Sequence, residues 1–448
     1  MKSIRSRLAA VAVGALAVVA AVVIPAGGAT APESIFPQCA WGADWGAVSN
    51  TETELTNSAL LYKGAPTAGE DNSGPSGNSY WTLRYTYEPG ETITLHGTYA
   101  DARFESFQVY KEPDGSFPNS SLLDYEIAPD PGSVNPFQPA SGHGWGSQEQ
   151  YTVTLSSDAQ PGEANTLPLG PPAAVAGEAE EITVRDFQQN GGVWAFPAPT
   201  VTFSYEGVSK VIPACSREQE TFPTITIVDP SVPSSTQANN GSPGEISQRF
   251  YALPPVSGGN TATKYLSAGV VPPTNGEVLL VKGKLPTTEQ GDTAQPWPQP
   301  GVDLRYWSLC ELLADGTSLV NHLSPNHLWG GPVDWGCRDN DQIHLSSGGD
   351  YTIAVGTEAQ RTAIEKIPGV TFLPFSEVPG QPVGFLLRNQ LPSPSFAQTI
   401  ATWPSAEKLT SAEAAAADEQ VMGVYYPKLS WSTVPALEQS AWQGHQGP

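Results

Sequence analysis

The densest run of chemically capable side chains in this chain lies between residues 322 and 344, where His322, His327, Asp334, Asp339, Asp341 and His344 fall close together. Two imidazoles and two carboxylates (His322, His327, Asp339 and Asp341) make a ligand set for a transition metal. Asp339-Asn-Asp341 also offers oxygens to calcium. The spacing speaks against a metal, because His322 and His327 share neither one helical face nor one strand face. A long polar loop in an acid-rich chain accounts for the same residues. No other cofactor is expected.

Other chemistries have weaker footing. There is no Gly-x-Ser-x-Gly elbow, no phosphate-cradling glycine loop and no His-Glu-x-x-His. Glu178, Glu180 and Glu181, or Glu126 with Asp130, supply the paired acids that glycoside hydrolysis needs. In a chain with 45 acids, chance proximity explains them as readily. Loop aromatics are more suggestive of binding. Trp145 sits in Gly142-His-Gly-Trp-Gly146, and Trp329 and Trp335 flank Gly330-Gly-Pro332. Such rings can stack on a sugar or line an apolar pocket, with His143 and His327 adding a polar contact at the same rim. Their alternative role is to plug the ends of their own sheets.

A further pair of charges stands in a repeated context. Asp101-Ala-Arg103-Phe and Asp303-Leu-Arg305-Tyr each follow a strand-like segment, Gly90-Glu-Thr-Ile-Thr-Leu-His-Gly97 and Gly276-Glu-Val-Leu-Leu-Val-Lys-Gly283. Residues two apart on a strand share a face, so each Asp can pair with its Arg or receive a partner from another strand. Structural ion pairs are expected at Asp101, Arg103, Asp303 and Arg305, with an anionic-ligand role for the arginines as the alternative. The connection between the two segments is longer and Pro-rich in the second copy, over 286–300. Tyr151-Thr-Val-Thr-Leu155 is answered by Tyr351-Thr-Ile-Ala-Val355, and Phe196-Pro-Ala-Pro199 by Leu391-Pro-Ser-Pro394. The chain therefore contains two copies of one unit.

The elements that must carry these residues are strands. Ile93, Leu95, Gly97 and Tyr99 alternate with Thr92, Thr94, His96 and Thr98, the period-2 pattern of a half-buried strand. Val278-Leu-Leu-Val281 is apolar on both faces and reads as a more central one. Gly (44) and Pro (43) punctuate the gaps between many short β-prone runs, including Leu122–Ile127. The fold class expected is all-β, with two tandem antiparallel β-sandwich, jelly-roll-like domains and a short C-terminal helical tail. Capping boxes at Thr357-x-x-Gln360 and Thr410-x-x-Glu413 predict helices over Glu358–Lys366 and Ser411–Val421. The boundaries read as a first domain at 32–228, a linker at 229–249, a second domain at 250–403 and a tail at 404–448.

Residues 1–31 have the basic, apolar and small-residue regions of a secretory leader, with cleavage expected within 29–31. A soluble, secreted or envelope-associated protein with no later membrane span follows. The formal net charge of −24 excludes nucleic acid, whose binding needs a basic footprint. In an oxidising compartment four cysteines pair. Each repeat holds two, so Cys39–Cys215 and Cys310–Cys337 are expected.

Ser106-Phe-Gln-Val-Tyr110, Asp124-Tyr-Glu-Ile127, Tyr151-Thr-Val-Thr-Leu155, Asn165-Thr-Leu-Pro168 and Ile182-Thr-Val-Arg185 resemble a bacterial jelly-roll domain of unknown function. Tyr306-Trp-Ser-Leu309, Tyr351-Thr-Ile353 and Leu386-Leu-Arg-Asn-Gln-Leu-Pro392 resemble it again. Val421-Met-Gly-Val-Tyr-Tyr-Pro427 is similar to the ending of exported actinobacterial tandem jelly-roll proteins. The resemblance implies fold and export, and brings no catalytic residue. The reading is an exported binding or structural component of the cell envelope, with a glycan or an apolar small molecule as partner and no assigned oligomeric state. The competing class is an extracellular hydrolase using carboxylates or a metal in the 322–344 loop.

Overall fold

The computed structural model describes residues 35–41, 79–111, 120–139, 149–160, 162–189, 198–214, 242–253, 260–313, 321–323, 333–335, 337–375, 382–401 and 409–445. The expected leader and residues 229–241 of the expected linker lie outside them. Nine strands build the first repeat: β1 (Ser79–Thr86), β2 (Thr92–Thr98), β3 (Ala102–Lys111), β4 (Ser121–Leu123), β5 (Gln150–Ser156), β6 (Thr166–Pro168), β7 (Ala179–Gln189), β8 (Thr200–Tyr205) and β9 (Val208–Ile212). They form two sheets, β1-β7-β3-β4 and β6-β5-β2-β8-β9. Ile93 and Leu95 from one sheet and Phe107, Val109, Ile182 and Val184 from the other enter a single buried core. Hydrophobic alternation on each strand thus drives the two sheets together as a sandwich.

The second repeat follows the same plan with additions. Its strands are β10 (Gln248–Ala252), β11 (Thr263–Val270), β12 (Val278–Lys284), β13 (Leu304–Leu313), β14 (Asn321–Leu323), β15 (Val333–Trp335), β16 (Cys337–Asp339), β17 (Asp350–Gly356), β18 (Val370–Pro374), β19 (Val383–Pro392) and β20 (Lys428–Ser432). The sheets are β10-β11-β19-β13-β16 and β18-β17-β12-β20, with β14-β15 a separate hairpin. Register confirms the correspondence: Gly97 pairs with Tyr151 and Gly283 with Tyr351, while Ser106 faces Leu123 and Ser308 faces Asp339. Among the described strands every pairing is antiparallel except one at the same place in each sandwich, β5 with β6 and β17 with β18.

Among the described residues, three α-helices decorate the second repeat: α1 (Glu358–Ile364), α2 (Ser411–Met422) and α3 (Val434–His445). Both expected capping boxes are formed, at Thr357 and Thr410. The helices explain why β12 is apolar on both faces. Leu279 and Val281 face the sandwich core. Val278 and Leu280 face outward beneath Ile364 of α1 and Leu437 of α3.

Two expectations need correction. The strand read over Leu122–Ile127 ends at Leu123, and Asp124–Glu126 turns as a 3-10 segment in which Glu126 accepts the Leu123 amide at 3.1 Å. The second domain also does not stop at 403, because β20 from the expected tail pairs with β12 from Val278↔Ser432 to Lys428↔Lys282. The alternating polar residues of Lys428–Ser432 suit an edge strand that meets the core on one side only.

The two sandwiches pack together through β3 and β7 of the first and β13 and β19 of the second. Phe104, Phe187, Tyr306, Leu391, Ala262 and Trp297 form one buried cluster across the boundary. Phe187 and Tyr306 meet edge to face at 5.9 Å. Among the described residues no helix is long and apolar enough to cross a membrane.

Candidate functional site

The strongest concentration of buried charge sits where the sandwiches meet, around Arg103 and Arg305. Both side chains are wholly buried. Strands β3 and β13 start here, and their alternation puts each arginine on the face that carries Phe107 or Leu309. Instead of ending in its own core, each guanidinium crosses to the other repeat.

Arg305 donates through Nη1 to both oxygens of Asp124, at 2.7 and 2.8 Å. Its Nε lies 3.4 Å from Glu289 Oε2. Burial works against the Arg305 charge, but Asp124 and Glu289 raise its pKa above the ordinary value. Burial pushes the Asp124 carboxyl up while Arg305 pulls it down, and the net direction is up. Glu289 is raised to about 7, again by burial with Arg305 opposing.

Arg103 mirrors this arrangement. Its Nη1 donates to Asn340 Oδ1 at 3.1 Å and its Nε to the Gly291 carbonyl at 2.8 Å. Nη2 bonds Asp341, with Asp292 Oδ1 at 3.9 Å. Thus the arginines are ion-paired, but with acids of loops and turns rather than with the acids two residues before them. Asp101 accepts the Ala294 amide at 3.2 Å. Asp303 accepts the Thr287 amide at 3.0 Å and its hydroxyl at 2.8 Å. Short aspartates at strand starts are better placed to hold loop amides than to fold back on a neighbour already extended towards another domain.

The Pro-rich connection over 286–300 completes the site. It brings Glu289, Gly291 and Gln295 to the two arginines, and the Trp297 amide donates to the Phe137 carbonyl at 2.8 Å. The Arg305 guanidinium lies 5.0 Å from the centre of the Phe137 ring and 5.8 Å from Trp297. The extra length of this Pro-rich connection is what reaches the seam.

A pair of carboxyls lies behind Asp124. Glu105 and Asp186 are directly opposite each other on β3 and β7, both fully buried. Tyr151 Oη donates to Glu105 Oε1 at 2.8 Å, and the Ala100 amide to Oε2 at 3.1 Å. The Asp186 oxygens have no hydrogen-bond partner among the described residues. Burial raises Glu105 to about 8 against those two donors, with Asp124 adding to the rise. Asp186 is pushed well up by burial, then by Glu105 and Asp124. Two adjacent acids out of water each disfavour the other's charge, so both are pushed towards the protonated form. In the second repeat Trp307 and Asn389 occupy the same paired positions. Sequence reasoning missed this pair, although a signal existed: Glu105 and Asp186 interrupt the apolar parity of Phe107-Val109 and Ile182-Val184.

The metal set expected from the sequence is only partly brought together. Asp339 is buried and raised to about 6 by burial, with Arg103 opposing and Asp341 adding. It accepts the Asp341 amide, while Asp341 holds Arg103 and the Asn340 side chain. His322 stands opposite Asp334 in the β14-β15 hairpin, and the His344 amide bonds Thr371. His327 lies outside the described residues. No group of three or more His, Cys, Asp or Glu among the described residues is arranged to hold a metal.

Of the expected ligand-contacting residues, Trp335 falls on β15. Trp145, His143, Trp329 and His327 lie outside the described residues. Among the candidate hydrolytic acids, Glu178 pairs with Lys111 at 2.7 Å and Glu181 with Arg84 at 3.4 Å. Asp130 accepts from Thr152 at 3.0 Å beside His96, Glu126 caps the Leu123 amide, and Glu180 is buried. Cys310 and Cys337 are joined by a disulfide between directly opposed residues of β13 and β16. Cys39 is disulfide-bonded, next to an Ala40–Ala214 bridge; its expected partner Cys215 lies outside the described residues.

No family model matches the chain, and no curated protein matches it. Among solved structures it is similar to an uncharacterized protein from Burkholderia cenocepacia, with a TM-score of 0.42 at 10% identity, over 84% of this chain and 80% of that one. It is also similar to a protein from Vibrio parahaemolyticus, with a TM-score of 0.37 at 8% identity, over 86% of this chain and 100% of that one.

Proposed function

We propose that this chain is an exported, non-catalytic binding or structural component of the cell envelope, built like the tandem jelly-roll proteins its strand motifs resemble. The observation that supports this most is the use of its buried charge. Arg103, Arg305 and Asp124 are engaged in joining one sandwich to the other, and Glu289 supports Arg305 from within the second. Groups with no exposed surface cannot reach a substrate, so these four serve assembly. Ligand contact then falls to the loop aromatics Trp145, Trp329 and Trp335 with His143 and His327, and the partner is an envelope glycan or a small apolar molecule. A net charge of −24 repels polyanions and fits a neutral ligand.

The test is a tryptophan-fluorescence screen of envelope polysaccharides and apolar metabolites. Each indole that stacks on a ligand contributes about 0.5–1.5 kcal/mol beyond its burial. Trp145→Ala, Trp329→Ala and Trp335→Ala should therefore each weaken binding by roughly twofold to tenfold. Equal binding by all three folded variants would remove this placement. A stoichiometric transition metal in the purified protein would favour the hydrolase reading instead.

A further inference from the structure

Several of the contacts across the seam are reciprocal. The register makes Arg103 and Arg305 equivalent, together with Phe104 and Tyr306, Glu105 and Trp307, and Asp124 and Asn340. Arg305 donates to Asp124, and Arg103 donates to Asn340. Arg305 lies 5.8 Å from the centre of the Phe104 ring, and Arg103 lies 5.8 Å from the centre of the Tyr306 ring. Each acceptor is held in the same way by its own strand: Asp124 takes the Glu105 amide at 2.8 Å, and Asn340 takes the Trp307 amide at 3.2 Å. One surface therefore meets its own counterpart, which defines a two-fold, self-complementary contact.

We propose that this seam is a dimer interface contained within one chain: the partner for which each sandwich's face is built is the equivalent face of a second copy of the same unit. The connecting segment then raises the local concentration of the two halves but is not what holds them. The apolar seam and the two arginine contacts do that. Three departures from symmetry distinguish the halves, the third being that Arg103 also pairs with Asp341, whose counterpart is Tyr125. Asp124 gives one contact a full ion pair where Asn340 gives the other a neutral acceptor. The 286–300 connection adds Glu289 and Gln295 on the Arg305 side and the Gly291 carbonyl on the Arg103 side. The first departure allows a direct test, because Asp124→Asn installs on one side the acceptor that already serves on the other.

The experiment uses the full chain with a protease site placed within 229–241. The Cys310–Cys337 disulfide lies inside the second half and does not tether the two. After complete cleavage, size-exclusion chromatography at micromolar concentration should return one species with the mass of the intact chain. Separate elution of the halves overturns the proposal. In the cleaved Arg305→Ala protein the halves should separate; persistent association would show that the arginine contacts do not hold the seam. Should Arg305→Ala fail to fold, Asp124→Asn decides. Its cleaved halves should stay together with a dissociation constant raised about tenfold, the difference between a charge-assisted and a neutral acceptor. Halves that separate completely would show that Asp124 and Asn340 are not equivalent, and would sink the self-complementary reading. None of these outcomes depends on whether a ligand is found for the loop aromatics.

Discussion

Arg305 and Asp124 are both removed from water, so each is tolerable only because the other is there. Removing one partner of such a pair costs about 3–5 kcal/mol, since an uncompensated charge stays behind. The neighbouring Glu105–Asp186 pair obeys the opposite logic, because its comfort depends on protons. Glu105 is raised from 4.5 to about 8, and Glu91, buried elsewhere in the first sandwich, likewise to about 8. Glu289 is raised to about 7. Above pH 4.5 the unfolded chain ionises these acids, while the folded one keeps Glu289 protonated to about 7 and Glu105 and Glu91 to about 8. The folded state thus binds more protons, and stability falls as pH rises. The stabilisation is full below about 4.5 and is lost as pH passes through 7 to 8. We expect the melting temperature to decline across that window, and Glu105→Gln to flatten the decline by keeping a neutral hydrogen-bonding group there. A profile unchanged by Glu105→Gln would mean that Glu105 titrates normally in the fold.

At the scale of elements, β2 and β12 show how one strand design acquires two environments. Gly97 and Gly283 hold the same place, each facing a tyrosine of the next strand. A Cβ at either would come within 2.7 Å of the hydroxyl of Tyr151 or Tyr351. Overpacking of this kind costs roughly 1–3 kcal/mol. The two sites differ in what the tyrosine does. Tyr151 donates to Glu105, whereas the Tyr351 hydroxyl has no partner among the described residues and its ring packs on Trp307 at 5.4 Å. Displacing Tyr151 therefore also breaks a hydrogen bond to a buried acid. Gly97→Ala should cost about 1 kcal/mol more than Gly283→Ala in urea unfolding; equal losses would show that the Tyr151–Glu105 bond adds nothing. The helix over 411–422 was legible because Thr410 and Glu413 form a local box. The helix over 434–445 was not, since it depends on docking Leu437 beside Val278 and Leu280.

For the whole molecule, the seam couples two sandwiches that each possess a complete core. Because Arg103 and Arg305 are each buried against the other half, neither half can unfold without exposing the other's arginine. Calorimetry should then show a single transition with matching calorimetric and van't Hoff enthalpies. Arg305→Ala should resolve it into two. Two separated transitions in the unaltered protein would mean that the halves are energetically independent.

The sequence by itself determined the strand-rich class, the repeat and the two capped helices, because alternation, turn residues and capping boxes are local. It also flagged Arg103 and Arg305, since an arginine sharing a strand face with Phe107 or Leu309 must find a partner. Only the tertiary structure decided which partner. Asp124 is 181 positions from Arg305, and Asp341 is 238 from Arg103, and no periodicity spans such intervals. The same holds for β20, read only as part of the tail, whose place beside β12 depends on an edge 150 positions earlier, Leu280 opposite Ser430. Local patterns fix how a residue is presented; the pairing of buried charges is set by which surfaces meet, and that is a property of the assembled fold.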